Sequence, residues 1–438
     1  MPLSHVWPMS AGIGTNGHLF VSGFDVVSLA AEYDTPLYIY DEPTIRTMCK
    51  AYKDACTACG ATDAIVHYAG KALLNTAIAQ LVHSEGLALD VVSGGELALA
   101  LHAGIPAAQI HMHGNGKTSR ELDEALAAGI GAIVVDNFDE LKLLIHRTNL
   151  RKVPFPIQIR VTPDIAADTH QHIQTGHYAS KFGFPLEALN QVGELLRTAP
   201  GLRLTAVHAH LGSQIFDPAT HTAAVAVLVD QIAYLRNQYG ISIEALNIGG
   251  GLAVAYTDVQ KAPNITSAVG DIWRALTVAC TRNGLAPLRL ELEPGRSIVA
   301  RAGIAVYRVV GGKTIADMPR WVHVDGGMAD NIRPALYGAK YTAVVANRVN
   351  AAAEEVVNVA GRYCESGDVL LHDTALAKPQ VGDIIALAVS GAYTLSMASN
   401  YNMVPRPTAL LVRPGTVQVM RQRETYADLW RHDGAYQG

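Results

Sequence analysis

A regular alternation restricts this chain more than any other feature. Short apolar, β-rich runs begin near Ala64 (AIVHYA), Leu87 (LALDVVS), Gln109 (QIHMHG), Gly131 (GAIVVD), Phe155 (FPIQIRV), Leu202 (LRLTAVHAH), Ile243 (IEALNI) and Leu288 (LRLEL). The first five starts lie 23, 22, 22 and 24 residues apart, the length of one strand, one helix and two turns. The last three intervals are 47, 41 and 45, which leaves room for longer loops. Helical patterns fall between the runs, at 95–102, 119–128, 138–148 and 221–236. Continuously apolar strands separated by helices form a parallel sheet covered on both faces, and eight such units predict a closed (β/α)8 barrel.

The alternation stops near Arg296. Beyond it the chain reads as strands joined by turns: ARAGIAVYRVV, RWVHVDGG, YTAVVANRV, EEVVNVAG, DIIALAVSG, TALLVRPG and TVQVMRQRE. These predict a second, mostly antiparallel β domain. An early strand candidate, GHLFVSG, is expected to dock on it. The predicted organisation is therefore an N-terminal segment over 1–36 on the β domain, a barrel over 37–296 and a C-terminal β domain over 297–438.

Composition narrows the class. Lys and Arg number 34 against 39 Asp and Glu, a net charge of −5, so no basic field for nucleic acid exists. No apolar run is long enough to span a bilayer, and Met1-Pro2-Leu3-Ser4-His5 lacks the basic and apolar regions of a signal peptide. The cysteines are five and scattered: Cys49, Cys56, Cys59, Cys280 and Cys364. That suits a reducing compartment, and a cytoplasmic enzyme is expected. Cys56-Thr-Ala-Cys59 has no second pair at zinc-site spacing, and it lies in a helical stretch, so both thiols read as structural.

A barrel of this kind builds its active site at the carboxyl ends of its strands. After the first run comes Tyr68-Ala-Gly-Lys71, an amine at the barrel mouth that burial would turn into an imine-forming nucleophile. The sixth run leads into His208-Ala-His210-Leu-Gly-Ser213, the seventh into Asn247-Ile-Gly249-Gly250-Gly251, and the eighth into Glu291-Leu-Glu293-Pro-Gly-Arg296. Loops after strands 7 and 8 are the usual phosphate site of this barrel, and three glycines let backbone N–H groups approach an anion, with Ser213 and Arg296 completing the cradle. Pyridoxal 5'-phosphate needs a lysine, a phosphate cradle, a ring to stack on (His210) and a carboxylate to keep its pyridine nitrogen protonated (Glu293). Glu291 and Glu293 share a strand face, as the members of a carboxylate dyad would; one structural and one cofactor-binding Glu is preferred, because Pro294 follows Glu293 at the strand end.

Ten motifs, in order, carry a resemblance: YAGKA, DVVSGGEL, HGNGK, SKFGF, HAHLGSQIFD, NIGGG, ELEPGRSIVARAG, VDGGMADNIRPALY, RYCESGD and GAYTLSMASNYN. From about Gly17 to Val412 the chain resembles the diaminopimelate decarboxylase family, within the alanine-racemase-like (fold type III) pyridoxal phosphate enzymes. The resemblance implies that Lys71 carries the cofactor, that His210 stacks on its ring and that Glu293 pairs with the pyridine nitrogen. It implies that Ser213, Gly249, Gly250 and Gly251, with the backbone of Glu293, Pro294, Gly295 and Arg296, hold the phosphate. Arg296, Arg333 and Tyr337 would bind substrate carboxylates. Cys364 would protonate the carbanion, Glu365 would contact the distal end of the substrate, and Tyr393 would touch cofactor and substrate. The family also implies a homodimer whose active sites lie at the subunit interface, with Cys364 and Glu365 supplied by the other subunit. Three positions depart from the family pattern: Leu73 where Asn is common, Gly116 in the HGNGK loop, and Ala179 before SKFG.

Two arginines near the substrate suit a dicarboxylate, which favours decarboxylation of meso-2,6-diaminopimelate to L-lysine over that of ornithine, arginine or lysine. Three H-x-H pairs, His111/His113, His170/His172 and His208/His210, keep a metal-dependent barrel amidohydrolase as a rival. That rival leaves the triple glycine, the Glu-Pro-Gly-Arg turn and the Cys-Glu pair without a use. A barrel that merely carried the cofactor would likewise have no use for the Cys364 and Tyr393 segments.

Overall fold

The computed structural model describes residues 3–163 and 181–436. The His170/His172 pair, Ala179 and Ser180 of the SKFGF motif lie outside them. The chain divides into two compact units: one of Met48–Val254 with Ala262–Ser297, the other of Met1–Thr47, Ala255–Lys261 and Ile298–Gly438.

All eight apolar runs are strands of the first unit: β1 (Ile65–Ala69), β2 (Ala88–Val91), β3 (Ile110–Met112), β4 (Ala132–Val135), β5 (Phe155–Thr162), β6 (Leu202–His208), β7 (Ala245–Asn247) and β8 (Arg289–Leu292). Each pairs in parallel with the next, and Glu291 of β8 pairs with Ile65 of β1, which closes the barrel. The alternation works because helix starts are written locally. Asn75, Ser93, Asn137 and Asn264 each accept, through the side chain, an N–H of the helix that follows, and Thr118 forms a capping box with Glu121. Barrels of this kind usually fill their interior with branched aliphatic side chains. Here buried polar residues gather in two layers instead. His67, His111, Gln158 and Glu291 form the lower one; Asp90, His113, His208, Asn247 and Glu293 form the upper.

The second unit is a mostly antiparallel sheet. Its strands run in the order Val369–Leu376, Glu355–Ala360, Arg320–Val324, Gly303–Lys313, Leu37–Asp41, Thr408–Arg413 and Thr416–Arg421, with Ile384–Leu387 pairing to Gly303–Lys313 and Ala343–Val345 to Ile384–Leu387. Leu37–Asp41, all buried, is thus a sheet strand, and the division between units falls at 47/48 where the sequence reading placed it at 36/37. A short sheet of Gly12–Ile13, Leu19–Val21 and Phe24–Asp25 lies in the same unit, where Leu19 N–H donates to the Ala346 carbonyl and Val349 N–H to that of Gly17. Among the described residues no helix is long and apolar enough to cross a membrane.

Candidate active site

The loops after β6, β7 and β8 lie nearly backbone to backbone. A Cβ on Gly250 would sit 2.2 Å from the Glu293 carbonyl, and one on Gly251, at φ +105°, 2.4 Å from that of Gly212. No residue but glycine fits there. Among these loops Arg296 Nη2 donates to Ser213 Oγ at 2.9 Å. Gly249 N–H donates to Asn247 Oδ1 at 3.0 Å and fixes the start of the turn. A guanidinium, a hydroxyl and side-chain-free backbone together suit a phosphate.

Lys71 follows β1 in a single 3-10 turn, Gly70–Ala72, and its side chain is exposed. His210 is half-buried; burial first, then the charges of Lys71 and Arg160, push its imidazole well down and keep it neutral. Gly250 N–H donates to His210 Nδ1 at 3.4 Å. Glu293 is 8% exposed. Burial alone would raise its carboxyl, but His113 and His208, each 3.2 Å away, outweigh it and hold the group well below the usual carboxylate range. An ionised, buried carboxylate, a guanidinium–hydroxyl pair beside side-chain-free backbone, an amine and a neutral imidazole are the groups that pyridoxal phosphate needs at its two polar ends. The barrel residues proposed from sequence for that cofactor are brought together in one unit.

Glu291 and Glu293 point inward one layer apart. Glu291 accepts from Gln158 Nε2 at 2.7 Å and Arg289 Nη2 at 2.8 Å, whereas Glu293 meets His113, His208 and Asn247. The same two-residue step splits the H-x-H pairs. His111 stands with His67 and Glu291, and His113 with His208 and Glu293, so among the described residues no H-x-H pair converges on one centre. Each trio has the spacing of a metal site, but neither uses an H-x-H pair as a barrel hydrolase would.

In the second unit Arg333 begins a short helix, Arg333–Tyr337, and is 4% exposed. Its Nη1 donates to Tyr341 Oη at 2.9 Å, and its guanidinium lies 4.7 Å from the centre of the Tyr256 ring. Its Nε has no hydrogen-bond partner, and no carboxylate among the described residues pairs with it. A buried cation so placed calls for an anion. Tyr337 is exposed, and Tyr393 is half-buried with a left-handed φ of 57°. Cys364 and Glu365 are both exposed; Cys364 N–H donates to Asn402 Oδ1 at 3.1 Å, and Glu365 accepts from Tyr401 Oη at 2.6 Å.

Of the departures, Leu73 is buried and its carbonyl accepts from Tyr68 Oη at 2.7 Å; a Cβ on Gly116 would meet nothing. Neither disturbs the strands beside it. Sequence reasoning gave no part in the cofactor site to Asp90 or Asn247, and weighed His113 only as half of an H-x-H pair, although each stands in a motif it quoted. Nor did it find Tyr256 and Tyr341, the two rings around Arg333.

Residues 43–300 match the family of pyridoxal-dependent decarboxylases through its pyridoxal binding domain. The chain is 42% identical over 420 residues to diaminopimelate decarboxylase of Bacillus subtilis (strain 168), covering 95% of each. It is 40% identical over 440 residues to diaminopimelate decarboxylase of Synechocystis sp., covering 99% of this chain and 93% of that one. Among solved structures, diaminopimelate decarboxylase of M. jannaschii superposes with a TM-score of 0.91 at 34% identity, over 98% of this chain and 99% of that one. The same enzyme has been solved in complex with L-lysine.

Proposed function

Because this chain belongs to the diaminopimelate decarboxylase family of pyridoxal-dependent decarboxylases, we propose that its barrel residues hold pyridoxal phosphate and its second unit supplies the groups that select and protonate the substrate. The enzyme decarboxylates meso-2,6-diaminopimelate to L-lysine and carbon dioxide, the last step of lysine biosynthesis. Bound pyridoxal phosphate supplies an electron sink for the pair left at Cα when the carboxylate departs.

The chain's residues do the rest. Lys71 provides the amine that attaches the cofactor. Arg296 and Ser213, with the backbone of Gly249, Gly250, Gly251, Pro294 and Gly295, hold the phosphate. His210, kept neutral, offers its ring face, and Glu293, kept charged, holds a proton on the ring nitrogen. Cys364 Sγ returns a proton to Cα after carbon dioxide leaves, which balances the reaction. Glu365 meets the distal amino end of the substrate, and Tyr337 and Tyr393 line its path. The functional division follows the two units, with Met48–Val254 and Ala262–Ser297 for the cofactor and Met1–Thr47, Ala255–Lys261 and Ile298–Gly438 for the substrate. Five free, scattered cysteines support a cytoplasmic setting.

Arg333 carries the substrate reading. A buried guanidinium without a carboxylate partner suits a second, distal carboxylate, which diaminopimelate has and ornithine, lysine and arginine lack. Carbon dioxide release measured side by side from the four amino acids tests this. Diaminopimelate is expected to be fastest, and faster turnover of ornithine, arginine or lysine would overturn the assignment.

We also assign a homodimer with shared sites, Lys71 from one chain and Cys364 with Glu365 from the other. The exposure of Cys364 and Glu365 in the single chain supports it. Lys71→Ala and Cys364→Ala, each nearly inactive, are expected to complement when their subunits exchange. One site of a mixed dimer inherits both defects and the other neither, so random equal mixing returns about a quarter of wild-type sites. No recovery, with exchange verified by mass, would refute sharing.

A further inference from the structure

Both oxygens of Glu293 are engaged by the chain itself. Oε1 accepts from Asn247 Nδ2 at 2.7 Å and lies 3.2 Å from His113 Nε2, while Oε2 lies 3.2 Å from His208 Nε2. Further polar groups stand behind these partners. His113 Nε2 stands 3.5 Å from Asp90 Oδ1, and Asp90 Oδ1 stands 3.3 Å from His67 Nδ1. Asn247 Nδ2 also reaches Gln158 Oε1 at 3.1 Å, and Gln158 Nε2 donates to Glu291 Oε2 at 2.7 Å. Two arms therefore rise from the lower interior layer, one of imidazole and carboxylate, one of amides, and meet on a single carboxylate.

A buried carboxyl without donors turns neutral, and a neutral acid cannot pair with a protonated ring nitrogen. The imidazole arm opposes that outcome. Burial lowers His113, but Glu293 and Asp90 on either side outweigh it and push its imidazole up to about 9, so it is a cation at neutral pH. The amide arm fixes direction, because Asn247 can give a short bond to Oε1 only while its own oxygen holds the Gly249 N–H.

We propose that His113 and Asn247 are positioning residues that hold the Glu293 carboxylate charged and in one orientation for the cofactor's ring nitrogen, with Asp90 and Gln158 holding them. The inference rests on the reading of Glu293 given above.

Holoenzyme carrying pyridoxal phosphate labelled with 15N in the ring tests it, since the nitrogen's chemical shift reports its proton. The unmutated protein is expected to show a protonated nitrogen and Glu293→Gln an unprotonated one. His113→Gln, which keeps a donor but removes the charge, and Asn247→Ala should both move the shift toward the unprotonated value. Each should also weaken cofactor binding about tenfold, the scale of one charge-assisted bond. A purely structural role would lower the thermal midpoint and leave the shift in place. If Glu293→Gln keeps a protonated nitrogen, the reading of Glu293 itself fails. If Glu293→Gln loses the proton while His113→Gln and Asn247→Ala keep the wild-type shift, the positioning role is overturned and Glu293 stands. Should His113→Gln fail to fold, Asp90→Asn, which removes the carboxylate beside His113, gives the same decision.

Discussion

Lys71→Ala is expected to lower activity by roughly a thousandfold or more, the scale of removing a group that takes part in the covalent chemistry. The visible absorbance band of the bound cofactor should vanish, and the cofactor should separate from the protein on gel filtration. The fold should persist, because the Lys71 side chain is exposed and sits on a single 3-10 turn rather than in the core. An unchanged far-ultraviolet spectrum and thermal midpoint would show this. Borohydride reduction of the unmutated enzyme, followed by mass mapping, should place the pyridoxyl group on Lys71. Lys117 is the informative comparison. Its ammonium is 1% exposed and is bonded to Glu140 Oε1 at 2.8 Å and to the carbonyls of Gly114 and Val134. A label on Lys117, or on any lysine but Lys71, would overturn the assignment.

Arg333→Ala should be the second large effect. Removing one partner of a charge-assisted carboxylate contact costs on the order of 2–5 kcal/mol of transition-state binding, or roughly 30- to 5,000-fold in kcat/KM. The loss should fall on diaminopimelate and spare any residual turnover of lysine or ornithine, which offer no distal carboxylate. Arg333→Lys should lie between, since an ammonium keeps the charge but not the planar fork, and stacks less well on the Tyr256 ring 4.7 Å away. Equal losses on all substrates would mean that Arg333 supports the fold of its unit and does not choose the ligand.

The barrel was legible because its information is local. Each strand is a short apolar run, and each helix after it opens on its own cap, so period and spacing suffice for all eight strands. The close approach of the glycine loop was legible for a related reason: only glycine allows loops to approach as Gly250 and Glu293 do, and three in a row at a strand end are conspicuous. What escaped depends on contacts between distant residues. Asp90, His113 and Asn247 look like ordinary strand-end polar residues until barrel closure sets them around Glu293. Val369–Leu376 escaped as a strand because His372 and Asp373 interrupt its apolar pattern; Asp373 has a φ of 44°, and the pairing to Glu355–Ala360 slips beside it. Leu37–Asp41 escaped because five consecutive buried residues suit a barrel strand as well as the middle of a sheet.

That last strand has a consequence for how the protein is made. Leu37–Asp41 leaves the ribosome before the barrel, yet its neighbours, Gly303–Lys313 on one side and Thr408–Arg413 on the other, leave it only afterwards. Every barrel strand is already synthesised by Leu292. The nascent chain therefore carries an apolar strand with two open edges through the synthesis of an entire barrel, the kind of exposed edge that pairs with other chains. Expression conditions that slow elongation or crowd ribosomes should aggravate aggregation, and chaperone capture should concentrate on chains released before residue 413. Polar substitution within Leu37–Asp41 would relieve the hazard only by forfeiting the sheet that the strand is there to complete.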